Sequence, residues 1–267
     1  MLSNAHSFGW DGHLLLVHHT ELERREGVAA WVGHGLGVGG KVIYFEAPDR
    51  RDSSLVETLA GRHEDAMSRG QLQFLPVPAE VYSAQGQQEI VDEILAEGYP
   101  SVWLTAEAEV GRRATSADTH AEAERAMDQL CRFRPVSALC QYPADLDAGT
   151  LHRVSGLHTG GVMSTLLRTR PRPDGIALAG EVDCTNADVL ATVLTARSSR
   201  SRSRRFVVDL HRLDFLDVGG TRALVEGTAG FRQRGGIVQL REAQPLVRRI
   251  LGVLEIDRTP GVEVEDR

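Results

Sequence analysis

The sequence has few aromatic side chains and no long hydrophobic run. Phe, Trp and Tyr make up 5% of the 267 residues, so aliphatic side chains and alanine must supply most of the core packing. No apolar segment approaches the ~20 residues that a membrane-spanning helix requires. The first ten residues have neither the basic nor the apolar region of a signal peptide. These absences predict a cytoplasmic protein without a membrane partner.

Cysteine is also scarce, with Cys131, Cys140 and Cys184 as the only three. An odd number without Cys-x-x-Cys spacing is neither a disulfide framework nor a spaced zinc site. We therefore expect three buried thiols that pack as small hydrophobic side chains, and we expect no metal and no cofactor.

Positive charge is in deficit, since the net charge is −7 at pH 7. This balance argues against nucleic acid as a partner. The basic cluster from Arg197 to Arg205 alternates serine with arginine and has no apolar face. Such a pattern favours a solvated loop over an interaction patch.

The chain has the composition of an ordinary globular protein, with 42% hydrophobic and 25% charged residues, and its length suits two domains. Strand-like and helix-like segments alternate in the first part, which predicts an α/β domain with a mainly parallel sheet. A glycine-containing stretch, 158–161, reads as a linker. It is followed by two strand candidates, 163–169 and 176–182, joined by a Pro/Asp-Gly turn that indicates a hairpin. The predicted domains are 8–160 and 163–258.

The stretch from Gly35 to Lys41 matches both a dinucleotide fingerprint and a near phosphate-binding loop. Both sites require a glycine loop that follows a strand and opens a helix. Here the glycines are predicted to close a helix and precede a strand at 41–46. Val42 also stands where a magnesium-binding Ser or Thr belongs. We therefore interpret the stretch as a helix C-terminus and expect no phosphate-binding loop.

Ligands of open α/β sheets bind beyond the carboxyl ends of the strands, where this sequence places His18, Glu107 and Tyr142. Glu124 and Asp128 are spaced i, i+4 on one predicted helix. Two such carboxylates usually lie on a solvated face, unless another group fills the gap between them. No nucleophile–base pair and no metal-ligand spacing is evident. The sequence therefore predicts no catalytic residue and no enzyme.

Several segments of residues 8–160 resemble the MEDS domain, a sensory domain named for methanogens, methylotrophs and a dichloromethane-responsive regulator. The similar features are Gly12-His13 before an apolar strand, Gly35-Leu36, Glu107, Glu124, Leu139–Tyr142 and a late His158. The resemblance implies a RecA-like fold without a phosphate-binding loop that senses a small molecule. The sequence departs from the family at His18, where a tyrosine is frequent, and at Asp128, where an asparagine is frequent. The expected ligand-binding residues are His13, His18, Glu107, Glu124, Tyr142 and His158.

Residues 163–258 resemble a STAS (sulfate transporter and anti-sigma antagonist) domain. The resemblance rests on Gly180–Asp183, Val207–Leu210 and Leu213–Asp217, followed by Gly220 and Leu224. It implies a helix start that docks on a partner, commonly an anti-sigma factor that is also a serine kinase. The partner-binding residues carried over in this way are Asp217, Val218, Gly219, Gly220 and Thr221.

The STAS resemblance fails where the family carries its phosphorylated hydroxyl. The family pattern Asp-Ser-Ser/Thr-Gly is replaced by Asp217-Val218-Gly219-Gly220, and the nearest hydroxyl, Thr221, lies one turn inside the predicted helix. We expect an ordinary helical threonine there and no phosphate switch of the usual kind. We expect Gly219 and Gly220 to allow close packing of the helix start on the sheet.

These expectations combine into a signalling regulator of transcription that resembles an anti-sigma factor antagonist. Its first domain would sense a small ligand or a partner, and its second would bind an anti-sigma factor or serine-kinase-like protein. Two alternatives stay open, a STAS-based scaffold that assembles as a homo-oligomer and, less favoured, a nucleotide-binding enzyme.

Overall fold

The computed structural model describes residues 9–46, 53–107, 111 and 115–265, and the predicted domain start at residue 8 lies outside them. The chain divides into two compact units. The N-terminal unit contains residues 9–145 and 157–160, and the C-terminal unit contains 146–156 and the residues from Gly161 onward. Both predicted mixed α/β folds are confirmed.

The N-terminal unit alternates strands and helices as the periodicity predicted. Its strands are β1 (His13–His18), β2 (Lys41–Glu46), β3 (Leu72–Pro76), β4 (Val102–Glu107) and β5 (Val136–Pro143). Its helices are α1 (Glu21–Gly37), α2 (Ser53–Arg62), α3 (Glu64–Ser68), α4 (Ala84–Ala96) and α5 (Ala117–Phe133). Residues 53–68 thus contain two short helices, α2 and α3.

The strands of this unit are all parallel and lie in the order β1-β5-β4-β2-β3. Alternate residues of β1 face opposite sides of the sheet. Leu16 reaches Gly27 of α1 on one side, and His13 reaches Glu124 of α5 on the other. The sheet is thus covered by helices on both faces, which makes its strands nearly continuous apolar runs.

The predicted helix C-terminus in the glycine-rich stretch is confirmed. Helix α1 ends at Gly37, Val38 is its C-cap, and Gly39 adopts a φ of +81° before β2 begins. Gly35 and Gly40 both lie against the indole of Trp103, where a Cβ would come within 3 Å of the ring. The glycines therefore serve packing and chain reversal, and the stretch does not open a helix as a phosphate cradle does.

The C-terminal unit has a mixed sheet. Its strands, in spatial order, are β6 (Gly161–Met163), β7 (Leu167–Arg172), β8 (Gly175–Val182), β9 (Arg205–Leu216), β10 (Ile237–Arg241) and β11 (Val262–Val264). The predicted β7–β8 hairpin is confirmed as antiparallel, and β8, β9, β10 and β11 run parallel to one another. Its helices are α6 (Ala148–Ser155), α7 (Ala187–Arg200), α8 (Val218–Gly227), α9 (Ala229–Gln233) and α10 (Pro245–Val253).

Two sequence predictions for this part were wrong in detail. The strand at 163–169 is split between β6 and β7, with Ser164 closing the turn by accepting from Leu167. Helix α7 continues to Arg200, so the first half of the basic cluster is helical; Ser198 is buried, which gives the segment an inward face. Helix α6 lies within the predicted bounds 8–160 of the first domain, and in the structure it is grouped with the C-terminal unit, where it packs against α7.

No helix within the described ranges combines the length and the apolar character that crossing a membrane would need.

Candidate functional site

Four of the six predicted pocket residues meet on one face of the N-terminal sheet, around a single carboxylate. Glu124 Oε2 lies 3.2 Å from His13 Nε2 and 3.3 Å from His158 Nε2, while Tyr142 donates its hydroxyl to Glu124 Oε1 at 2.9 Å. His13 and His158 are fully enclosed, and their rings are 4.1 Å apart. The predicted linker at 158–161 is thus anchored, since His158 is part of this cluster.

Cys140, which was part of the MEDS-like segment Leu139–Tyr142 but not one of the predicted ligand-binding residues, completes the cluster. Its Sγ lies 3.5 Å from His13 Nε2 and 3.7 Å from Glu124 Oε2. One donor atom from each of His13, Glu124, Cys140 and His158 lies within 4.8 Å of the others. The expectation of three buried cysteines was wrong, because Cys131 and Cys140 are half-buried and Cys184 is exposed.

The strand register explains why these side chains converge. In the β1–β5 pair His13 is opposite Ala138, and Cys140 and Tyr142 follow at the two-residue spacing that keeps them on one face. Helix α5 lies over this face and contributes Glu124 and, one turn later, Asp128. Both carboxylates are buried, so they do not lie on a solvated helix face as such a pair usually does. Instead, the imidazole of His13 fills the gap between them.

A further layer of polar contacts holds the cluster in place. Asp128 Oδ1 accepts from the backbone and hydroxyl of Thr159 and lies 3.7 Å from His13 Nδ1. His120 Nε2 lies 2.8 Å from the Tyr142 hydroxyl and 3.3 Å from Glu124 Oε1. These contacts orient both the imidazole of His13 and the carboxylate of Glu124.

The cluster is electrostatically coupled. Burial acts to raise the pKa of Glu124, but the charges of His158, His13 and His120 outweigh it and hold that pKa well below its usual value. Burial acts to lower the pKa of His13, but Cys140, Asp128 and Glu124 outweigh it and hold that pKa well above its usual value. Burial and the neighbouring Glu124 carboxylate raise the pKa of the Cys140 thiol to about 11. The Glu124 carboxylate is therefore ionised.

A cavity of about 90 Å³ extends from the cluster between the sheet and helices α4 and α5. Glu107, His120, Glu124 and Cys140 form its polar side. The rest of the wall is mainly apolar and includes Phe45, Val77, Val81, Leu104, Met127 and Leu139. An engineered cavity of ~150 Å³ binds benzene, so this one suits a molecule of only a few non-hydrogen atoms.

The other two predicted residues, His18 and Glu107, are associated with a different polar group, which surrounds Arg24. Arg24 is 1% exposed and donates Nη1 to Tyr44 and Gln141, at 3.1 and 2.9 Å. Glu107 Oε1 lies 3.4 Å from the same nitrogen. Burial and the charge of Arg24 lower the pKa of His18 to about 4. Glu107 borders the cavity as well as this group, whereas His18 does not line the cavity.

Sequence reasoning missed Cys140, His120 and Arg24 as members of these networks. Cys140 and Tyr142 share the period-2 face of β5, and His120, Glu124 and Asp128 share the i, i+4 face of α5. These two periodicities could have grouped them. Nothing in the spacing marks Arg24, because an arginine on an amphipathic helix is ordinarily solvated.

The predicted docking segment of the C-terminal unit begins helix α8. Asp217 is the N-cap and accepts from Gly220 N at 2.7 Å, as its position predicted. Val218 is 62% exposed. A Cβ on Gly220 would lie 2.6 Å from the side chains of both Leu216 and Val182, which agrees with the expected close packing of the helix start. Gly219 is half-buried. Thr221 is buried and donates its hydroxyl to the Asp217 carbonyl oxygen at 2.8 Å. The Thr221 hydroxyl is therefore not accessible to a kinase.

Comparison with known proteins supports both resemblances. A family model described as "MEDS: MEthanogen/methylotroph, DcmR Sensory domain" matches residues 12–159, more than half of the chain. A second model, described as "Mlab, STAS domain", matches residues 165–264. Among solved structures, a similar chain is titled "Structure of the Anti-Sigma Factor Antagonist SpoIIAA in its Unphosphorylated Form". It is 16% identical, with 38% of this chain and 89% of that chain covered and a TM-score of 0.30. No curated protein matches the chain.

Proposed function

Because this chain belongs to the MEDS sensory-domain family and continues into a STAS domain, we propose that it is a cytoplasmic, non-enzymatic signalling regulator. Its N-terminal domain binds a small, mainly apolar molecule. Its STAS domain binds an anti-sigma factor or a related serine-kinase-like protein and so acts on transcription. The observation that carries the proposal is the cavity of the N-terminal unit, which has a mainly apolar wall and a buried carboxylate at one side.

The chemistry of the cavity supports binding rather than turnover of a ligand. Its apolar wall favours the burial of a hydrocarbon or halocarbon group, and the Glu107–His120 side offers polar contacts that fix orientation. Without a bound metal ion, the Cys140 thiol is protonated at neutral pH, because its pKa is about 11, and a protonated thiol is a weak nucleophile. The proposed ligand is therefore a signal and not a substrate.

The start of α8 supports a protein-binding role for the STAS domain. Val218 presents an apolar side chain to solvent on the first turn of a well-capped helix. Since neither Val218 nor Gly219 carries a hydroxyl and Thr221 is buried, the input does not come from phosphorylation at this helix. Ligand binding in the N-terminal domain is then the proposed input, which requires that the ligand bind one state of the protein more tightly than another.

Ligand binding is tested on the full chain with dichloromethane, chloroform and methanol as probes. We expect dichloromethane and chloroform to shift the methyl NMR signals of Met127 and Leu104 saturably, because both side chains line the cavity. Ala106→Leu should abolish the shifts by filling the cavity. Ala60→Leu is the matched control, since Ala60 is half-buried on α2, outside the cavity wall. Absence of saturable shifts for all three probes would count against this ligand class.

Partner binding is tested with the anti-sigma factors and serine-kinase-like proteins of the same organism, expressed one at a time. We expect one of them to bind the full chain and Val218→Asp to weaken the complex at least ~10-fold, because a charge would be buried in the interface. Val253→Asp, on exposed α10, is the control. Equal binding by both variants would refute docking at α8. A large particle in light scattering would instead favour the scaffold.

A further inference from the structure

In the cluster of His13, Glu124, Cys140 and His158, all four donor atoms lie within 4.8 Å of one another, and four of their six separations are close to those of a tetrahedral metal site. The measured separations between donor atoms are 3.2 Å for His13–Glu124, 3.3 Å for His158–Glu124, 3.5 Å for His13–Cys140 and 3.7 Å for Cys140–Glu124. A tetrahedron with Zn–N and Zn–O bonds of ~2.0–2.1 Å and a Zn–S bond of ~2.3 Å has edges of roughly 3.3–3.6 Å. The four separations therefore lie near the values that a shared ion would impose.

Hydrogen bonds between the four side chains explain these separations less well than a shared metal ion does. Charge-assisted bonds between imidazolium and carboxylate are usually ~2.7–2.9 Å long, which is shorter than both His–Glu124 separations. Two imidazoles and a thiol also converge on the same oxygen, Glu124 Oε2, while its partner Oε1 is bound by Tyr142. Placing two potentially cationic rings 4.1 Å apart inside the unit is costly unless the rings are neutral ligands.

We propose that His13 Nε2, Glu124 Oε2, Cys140 Sγ and His158 Nε2 together bind one Zn²⁺ ion at the inner side of the cavity. Thiolate, imidazole and carboxylate are the zinc ligands of proteins, and the presence of sulfur disfavours Mg²⁺ and Ca²⁺, which take oxygen. Iron and cobalt accept the same donors, so the spectroscopic test below uses cobalt as a probe of the same geometry.

The surrounding contacts are those that orient ligands around a metal. A zinc-bound histidine usually directs its other nitrogen to a carboxylate or carbonyl group. The Nδ1 atom of His13 faces Asp128 Oδ1 at 3.7 Å, and Thr159 fixes that carboxylate through two hydrogen bonds. The free oxygen of a monodentate carboxylate is usually hydrogen-bonded, as Glu124 Oε1 is by Tyr142. Both ligands are thus held in the required orientation by residues outside the set.

The inference goes beyond the proposed function and does not depend on it. A zinc ion could fix His158 and strand β1 to α5 whether or not a small molecule enters the cavity. If the sensing proposal is also correct, the ion would border the ligand, because Glu124 and Cys140 line the cavity.

Metal content and cobalt spectroscopy on the full chain test the proposal. Protein purified without a polyhistidine tag or chelator should contain about one Zn²⁺ per chain by mass spectrometry. After removal of the metal, added Co²⁺ should produce an intense visible band of tetrahedral cobalt and a near-ultraviolet thiolate charge-transfer band. Cys140→Ser should abolish the charge-transfer band, and His158→Ala should weaken zinc binding by ~100-fold or more.

The controls separate the site from general thiol and histidine binding. Cys131→Ala removes a half-buried cysteine near the cluster, and His152→Gln removes a histidine of the C-terminal unit; both variants should keep full zinc content. Asp128→Asn should weaken zinc binding about 10-fold by loosening His13. The zinc content and cobalt spectrum of the unsubstituted protein test the proposal even if the variants fail to fold. Absence of stoichiometric zinc, or a cobalt spectrum without tetrahedral and thiolate features, would overturn the proposal. Loss of the dichloromethane shifts with zinc intact would count only against the sensing function.

Discussion

The two units of the chain differ in what they bury. The N-terminal unit encloses several ionisable side chains, namely His13, Arg24, Lys41, Glu124, Asp128 and His158. Among the described residues of the C-terminal unit, the buried polar side chains are hydroxyls and an amide, namely Thr150, Ser155, Ser164, Thr169, Asn186, Ser198, Thr221 and Thr228. Charge in that unit is at its surface, as in the partly exposed pair of Arg172 and Asp209.

This difference agrees with the functions proposed for the two units. Burying a charge costs free energy unless partners compensate for it, so a unit that does so repeatedly uses its interior for something other than stability. The N-terminal unit has its cavity and donor cluster inside. The C-terminal unit is stabilised by an aliphatic core and presents its candidate docking residues, such as Val218, outside. Four substitutions test this contrast.

The largest effect is expected for Arg24→Ala. Removing the guanidinium leaves Glu107, Tyr44 and Gln141 facing one another without their shared donor, which should lower the unfolding free energy of the N-terminal unit by about 3–5 kcal/mol. Urea unfolding followed by tryptophan fluorescence measures it, because Trp10, Trp31 and Trp103 all belong to this unit. Arg172→Ala, which breaks the partly exposed pair with Asp209, should cost about 1 kcal/mol or less by hydrogen exchange. Equal losses of unfolding free energy in Arg24→Ala and Arg172→Ala would contradict the proposed difference between the two units.

The second effect concerns packing in the C-terminal unit. Gly220→Ala places a methyl group 2.6 Å from the side chains of Leu216 and Val182 and should destabilise this unit by about 1–3 kcal/mol. Hydrogen exchange of residues 205–241 measures the change, while tryptophan fluorescence should be unaffected. Gly252→Ala, which meets nothing within 4 Å, should instead stabilise α10 by about 0.5–1 kcal/mol.

The third effect is a dependence of the N-terminal unit on pH. The pKa of His18 is lowered to about 4 by burial and by the charge of Arg24, against the opposing charges of Glu21, Glu23 and Asp145. Between that value and the unfolded pKa of ~6.5, the unfolded chain binds more protons, so stability falls as the pH is lowered. Discounted for partial exposure, the loss between about pH 7.5 and about pH 4.5 should be about 1–2 kcal/mol. His18→Asn should remove this share of the acid sensitivity. An unchanged pH dependence would refute the assignment.

The smallest effect concerns the helix caps. Asp217→Ala should cost about 1 kcal/mol, because the N-cap carboxylate of α8 accepts from Gly220 N at 2.7 Å, whereas Asp217→Asn should retain most of the stability. Thr20→Ala, at the exposed cap of α1 with a 3.2 Å bond, should cost less. Hydrogen exchange of the first turn of each helix compares the two. A larger cost at Thr20 would contradict this order.

Much of the local structure could be predicted because it depends on neighbouring residues. The period-2 and period-3.6 patterns located the strands and helices, the order of Gly35–Gly40 and β2 excluded a phosphate loop, and Asp217 was recognisable as an N-cap. Of the predicted pocket, His13, Glu124, Tyr142 and His158 come together, while His18 lies beside the Arg24 group.

The sequence by itself determined the alternation of elements, the two resemblances and the loss of the phosphoacceptor hydroxyl, since each is written in contiguous residues. Only the tertiary structure decided that His13, Glu124, Cys140 and His158 share one site. These residues are separated along the chain by up to 145 positions (158 minus 13), and no fixed spacing links them. Their meeting depends on the β1–β5 register, on the packing of α5 and on the return of residues 157–160 to β1. Strand register and helix packing depend on the apolar surface buried across the whole unit, so no short sequence pattern determines them.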